Sequence, residues 1–160
     1  MNCIEFDTPL GAMLAADRGD GLAGCWFIGQ RHFPAEAGQW HRSQTPTLAA
    51  VREQLDAYFA SRLTDFDLPL AALGSAFQQS VWQQLRSIPY GQRSSYGQIA
   101  SALGKPAASR AVGTAVGRNP WSIIVPCHRV LGSCGQLTGY AGGLARKRGL
   151  LALEADPHSQ

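Results

Sequence analysis

The 160-residue sequence predicts an α+β (α/β) fold in two parts, a small N-terminal antiparallel sheet with one helix and a helical C-terminal half. Three observations carry this. Residues 2–33 alternate loosely between apolar and polar and are cut by "TPLG", "DRGDG" and "GQRH", as short strands joined by turns are. From Thr45 apolar residues recur at helical spacing. In the second half, two short helical segments joined by a glycine-containing turn lie within a basic half-chain, which makes a helix-turn-helix candidate.

In the first helix Thr45 is the cap and Pro46 suits the first helical position, with Leu48, Val51, Leu55 and Tyr58/Phe59 on one face. "TDFDLPLAALG" follows as an extended connector, and a domain boundary is expected near residue 74, dividing 1–74 from 75–160. Ser75 with Gln78 then forms a capping box, opening a helix whose apolar face is Phe77, Val81, Leu85 and Ile88. "PYGQR" turns the chain. Ser95 with Gln98 repeats the capping box, Gly104 ends that helix, and another is expected from about Ala107 to Val116.

Composition narrows the class. Charged residues make up 16% and hydrophobic residues 45%, which argues against disorder and against membrane spans. The opening "MNCIEFDTPLGAML" lacks a basic n-region and a long apolar h-region, so a cytoplasmic location is expected. Residues 1–74 hold five basic and nine acidic side chains, a balance of −4, whereas 75–160 hold nine and two, a balance of +7. The second half therefore suits a polyanion and the first does not.

Four cysteines (Cys3, Cys25, Cys127, Cys134) lack framework spacing and are expected as free thiols. Cys127, His128 and Cys134 have no second pair at zinc-finger spacing, so no metal is expected there; Cys3, Cys25, His32 and His41 fit no compact zinc pattern, and a structural zinc among them in the N-terminal sheet is left open.

Two features call for a chemical account. The last helix of the candidate motif turns Ala108, Ala111, Val112 and Ala115 inward and shows Arg110, Gly113, Thr114 and Gly117 on its other side. Each glycine costs a helix about 1 kcal/mol against alanine. Their bareness admits either a nucleic-acid groove or a closely packed helix. The second feature is "IIVPCHRV", where Cys127 adjoins His128 after an apolar run. Taken alone, a buried cysteine is a small hydrophobe; an imidazole that accepts its proton would instead make it a nucleophile.

Taken together, "PCHRV", "SRAVGTAVGRNP" before it and "TGYAGG" after it resemble the O6-alkylguanine-DNA alkyltransferases, a likeness that runs from "FQQSVWQQLRSIPYGQRSSYGQIA" to "LLALE". The resemblance implies a winged helix-turn-helix and irreversible, one-turnover transfer of the alkyl group from O6-methylguanine in duplex DNA, with O4-methylthymine as a second substrate. It implies Cys127 as acceptor, His128 as water-bridged base, Glu154 as the carboxylate orienting it, and Tyr96 as proton donor to guanine N3. Arg110 would intercalate from the minor groove after base flipping, beside Ala111, Gly113, Thr114 and Gly117 on the DNA-binding surface. Asn119 would be the hinge, and Val130, Tyr140, Ala141 and Trp121 would form the base pocket. No cofactor is implied, the partner is double-stranded DNA carrying O6-alkylguanine, and a monomer is expected, with cooperative assembly on DNA left open.

Two departures stand out: Ala141 occupies a position where many members have serine, and "KRGLL" replaces "KEWLL", putting Gly149 inside the last helix. A lesion-flagging protein without chemistry is the main rival, and Cys127 speaks against it. A thiol-sensing regulator and a cysteine hydrolase are weaker alternatives, lacking an effector segment and a recognisable oxyanion hole.

Overall fold

Turn residues close the first two hairpins. In this computed structural model, which describes residues 1–155, β1 (Asn2–Thr8) and β2 (Gly11–Asp17) pair antiparallel, and β2 pairs antiparallel with β3 (Leu22–Phe27). The Thr8 hydroxyl donates to the Gly11 carbonyl at 2.7 Å, and Gly11 takes the positive φ of 128° that this tight connection needs. A two-residue strand, β4 (His41–Arg42), adds parallel to β1, giving the order β3-β2-β1-β4. Two residues carry too little alternation for the sequence to announce it.

Helix α1 (Pro46–Phe59) begins where its cap predicts, the Thr45 hydroxyl accepting from the Leu48 amide at 3.2 Å. Its buried face is Leu48, Val51, Leu55 and Tyr58, laid against the sheet. The connector after it is tied to the β3 edge, with Leu22 N donating to Pro69 O (2.7 Å) and Ala71 N to Leu22 O (3.0 Å).

Helix α2 (Ala76–Arg86) has the complete Ser75/Gln78 capping box. At α3 (Tyr96–Ala102) only half of the expected box forms. Ser95 accepts from the Gln98 amide, but the Gln98 side chain turns to the Ser94 hydroxyl at 3.3 Å. Helix α4 (Ser109–Gly117) starts later than expected because Pro106–Ala108 make a separate 3-10 turn. A parallel pair, β5 (Ser94–Ser95) with β6 (Val130–Leu131), lies beside this motif, and α5 (Leu144–Ala155) closes the described chain.

One hydrophobic cluster joins both halves, from Phe6, Met13 and Tyr58 through Trp82 and Val112 to Val125 and Leu150. The segment that leads to Cys127 lies on the open edge of β3. Cys25 N donates to Pro120 O at 2.8 Å and Ser122 N to Cys25 O at 2.9 Å, so the edge is covered rather than exposed. Gly149 of α5 lies under the Leu10 side chain of the β1–β2 turn, and a methyl there would sit 3.0 Å from Leu10 Cδ2, a tight contact that Leu10 would have to yield to. Among the described residues no helix is long and apolar enough to cross a membrane.

Candidate active site

Asn119 follows α4 and is buried, so its amide must find partners inside the protein. Its Nδ2 donates to Val125 O (2.9 Å), Trp121 O (3.3 Å) and Cys127 Sγ (3.2 Å), while Oδ1 accepts from Trp121 N (3.0 Å). One side chain thus folds the segment 119–127 into a loop and aims a donor at the thiol. The loop is strained at Ile123, a buried β-branched residue at φ 72°, a conformation costing about 1–3 kcal/mol. Asn119 and the core around Ile123 hold it there.

Cys127 and His128 lie in a short 3-10 turn, both buried. His128 Nε2 is 2.7 Å from Glu154 Oε2. An ionised carboxylate only accepts hydrogen bonds, so Nε2 carries the hydrogen and Nδ1 keeps its lone pair. Nδ1 is buried and has no hydrogen-bond partner among the described residues. Burial lowers the His128 pKa despite Glu154, which leaves a neutral imidazole with a free basic nitrogen at neutral pH.

Glu154 is held from three directions. It accepts from Tyr58 Oη (2.6 Å), from Arg129 Nε (2.8 Å) and Nη2 (3.0 Å), and from His128. Burial alone would raise its pKa, but the hydrogen bonds from His128 and Arg129 prevail and keep the carboxyl well below the usual carboxylate range. Arg129 and Tyr58 were not singled out from the sequence. Tyr58 reads there as a core residue of α1 with no sign of a partner near the C-terminus; Arg129 offered only its place beside His128.

The thiol itself is raised by burial, a trend opposed by the Asn119 hydrogen bond and the charge of Lys147. Lys147 is another residue the sequence reading missed. It is fully buried, and its ammonium donates to Val130 O (2.6 Å) and Thr138 O (3.1 Å). The Val130 carbonyl thus accepts from the Lys147 ammonium inside the protein. The Tyr96 hydroxyl pairs with Thr138 Oγ1 at 2.8 Å, and the buried Tyr140 hydroxyl has no partner among the described residues.

A groove of about 600 Å³ reaches Tyr96 and Tyr140, whereas Cys127, His128 and Val130 are not among the residues that line it. It is lined by Tyr96, by Ser109, Arg110, Gly113, Thr114 and Gly117 of α4, by Gly139, Tyr140 and Ala141, and by Arg31 and His32 of the first half. Ala111 faces solvent, not the core, and Val116 takes the inward place, because α4 begins at Ser109 and its buried stripe is Val112, Ala115 and Val116. The two glycines are not demanded by the protein's own packing. A methyl at Gly117 would meet nothing within 4 Å, and one at Gly113 would make ordinary contact with Tyr96 at 3.7 Å. The close-packed-helix account of this face therefore fails.

Trp121 is misplaced by the sequence reading. It does not line the groove; its indole donates to Leu22 O at 2.8 Å and meets Trp82 edge-on at 5.4 Å, under the β3 edge. The Asn119 loop turns it inward, where a large apolar ring gains most from burial. Among the described residues no group of three or more His, Cys, Asp or Glu could hold a metal ion, and the four cysteines are free.

Comparison with known proteins bears on this arrangement. Residues 76–156 match the family model "6-O-methylguanine DNA methyltransferase, DNA binding domain", and residues 1–72 match "6-O-methylguanine DNA methyltransferase, ribonuclease-like domain". The methylated-DNA–protein-cysteine methyltransferase of Mycolicibacterium paratuberculosis is 50% identical over 92% of this chain and 88% of its own. That of Methanosarcina acetivorans is 48% identical over 93% and 95%. The crystal structure of Mycobacterium tuberculosis OGT in complex with DNA superimposes with a TM-score of 0.89 at 44% identity, covering 97% of this chain and 93% of that one. The chain belongs to the 6-O-methylguanine DNA methyltransferase family.

Proposed function

We propose that the protein repairs O6-methylguanine in double-stranded DNA by moving the methyl group onto Cys127, once per molecule. The observation that carries this is a buried thiol held by Asn119 and followed in the chain by a buried imidazole whose Nε2 is paired to Glu154 and whose Nδ1 has no hydrogen-bond partner among the described residues. The thiol proton passes to His128 Nδ1, directly or through one water, and Glu154 and Arg129 hold the ring in place. The sulfur then attacks the methyl carbon, and the carbon–oxygen bond to guanine breaks with its electron pair on the base. Tyr96 gives its hydroxyl proton to guanine N3, so neutral guanine departs, and the imidazolium proton restores the tyrosine by way of solvent. The thioether has no leaving group at neutral pH, so the thiol does not return.

Residues 75–160 do this work in our reading, and residues 1–74 brace them, Tyr58 reaching Glu154 from α1. The last five residues of that second part lie outside the described residues. Helix α4 docks in the minor groove with Arg110 entering the stack, and Gly113, Thr114, Gly117 and the exposed Ala111 let the backbone approach. Tyr140 and Ala141 close over the flipped base, Ala141 offering only its backbone, and the Val130 carbonyl accepts from the exocyclic amine. Free thiols fit a cytoplasmic location. Intact mass after mixing with a duplex bearing one O6-methylguanine tests the proposal. One methyl adduct on Cys127 per lesion, without turnover, is expected. Tight binding with no adduct would favour a lesion-flagging protein.

A further inference from the structure

The acidic first half was expected to stay clear of a polyanion, yet the connection after β3 puts Arg31 and His32 on the groove wall facing α4. With Arg110 and Arg118 they bring four basic side chains to that groove, and no carboxylate lines it among the described residues. Arg31 and His32 are exposed, so their heads are available to a ligand. Their backbone is fixed. Arg31 N donates to Ala141 O at 3.0 Å, joining this connection to the loop that carries Tyr140, and His32 takes a left-handed φ of 63°. Arg118 caps α4 eight residues after Arg110, roughly 12 Å along the axis.

We propose that Arg31, His32 and Arg118 form a second phosphate site, gripping the DNA backbone roughly three to four base steps from Arg110, and that DNA bound there adds a proton to His32. The inference rests on the reading that α4 docks on DNA. A phosphate is the ligand that fits: an anion with several acceptor oxygens answers cations from two elements, and along one strand phosphates recur about every 3.4 Å of axis. Burial, then the charges of Arg118 and Arg31, hold the free His32 imidazole below its ordinary value. No acidic group acts on it, and the other ionisable groups of the groove are Arg110, Tyr96 and Tyr140. A phosphate among the three cations reverses the local sign and favours imidazolium.

Equilibrium binding to a lesion-free duplex, over a salt series at pH 6 and pH 8, tests this. Wild type is expected to bind about three- to tenfold tighter at pH 6. Arg31→Ala should weaken binding about five- to tenfold near 0.1 M salt and reduce the salt slope by about 1. His32→Asn, which keeps the left-handed backbone accessible, should remove most of the pH difference. Arg52→Ala on the exposed side of α1 removes the same charge and should leave the slope unchanged. A wild-type slope and affinity in Arg31→Ala, while wild type binds and repairs DNA, would overturn the second site alone. Failure of wild type to bind any duplex would overturn both this inference and the repair reading.

Discussion

Replacing Glu154 with glutamine tests the buried charge network at its centre. The carboxylate is 2% exposed and receives hydrogen bonds from Tyr58, His128 and the Nε and Nη2 donors along one edge of the Arg129 guanidinium. A glutamine amide has one oxygen, and its NH2 would point at groups that are themselves donors. Arg129 is 4% exposed and keeps only the Ile88 carbonyl at 2.7 Å and the Tyr90 ring at 5.7 Å. Removing one partner of a buried ion pair costs about 3–5 kcal/mol. That is a large share of the roughly 5–15 kcal/mol that holds a domain together. Urea unfolding at pH 7.5 should show the loss as a lower midpoint at constant slope. The pH dependence gives a second reading. A carboxyl with a depressed folded-state pKa stabilises fully above its unfolded value, about 4.3, and loses that contribution as pH falls toward the folded value. Wild type should therefore lose stability on acidification below about pH 5, and the variant should lose less. Adding Arg129→Met to Glu154→Gln should recover part of the loss, since no unpaired buried charge then remains. A single variant within about 1 kcal/mol of wild type would refute the reasoning.

Other outcomes follow from the same geometry. Cys127→Ser should lose methyl transfer and keep duplex binding, and mass spectrometry showing a methylated variant would show that Cys127 is not the acceptor. Because His128 is held below its ordinary value and acts while neutral, the single-turnover transfer rate should be level at neutral pH and fall only below about pH 6.5; a fall beginning above pH 7 would contradict it. Trp121→Ala should cost about 3–5 kcal/mol in urea unfolding, as a buried tryptophan does, without changing the preference between methyl and benzyl adducts. A shifted preference would return Trp121 to the base pocket. Arg110→Ala should reduce the fluorescence change of a base analogue on flipping more than it reduces duplex affinity, and equal losses would count against an intercalating role.

Local signals in the sequence determined much of this protein. Thr45-Pro46 and Ser75/Gln78 sit at true helix starts because a cap needs only the four residues around it. The thiol, its neighbouring imidazole and the bare face of α4 were legible for the same reason, and the family likeness extended that reading to Asn119 and Glu154. Tertiary structure alone decided the rest. It brought Tyr58 to Glu154 across 96 residues, buried Lys147 under two carbonyls, turned Trp121 beneath the β3 edge and carried Arg31 and His32 to the α4 groove. Periodicity tells which side of an element is buried, but not which distant element lies against it. For these residues the partner is a backbone carbonyl, a charge or a groove wall made elsewhere in the chain, and only packing the two halves on one core brings the two together.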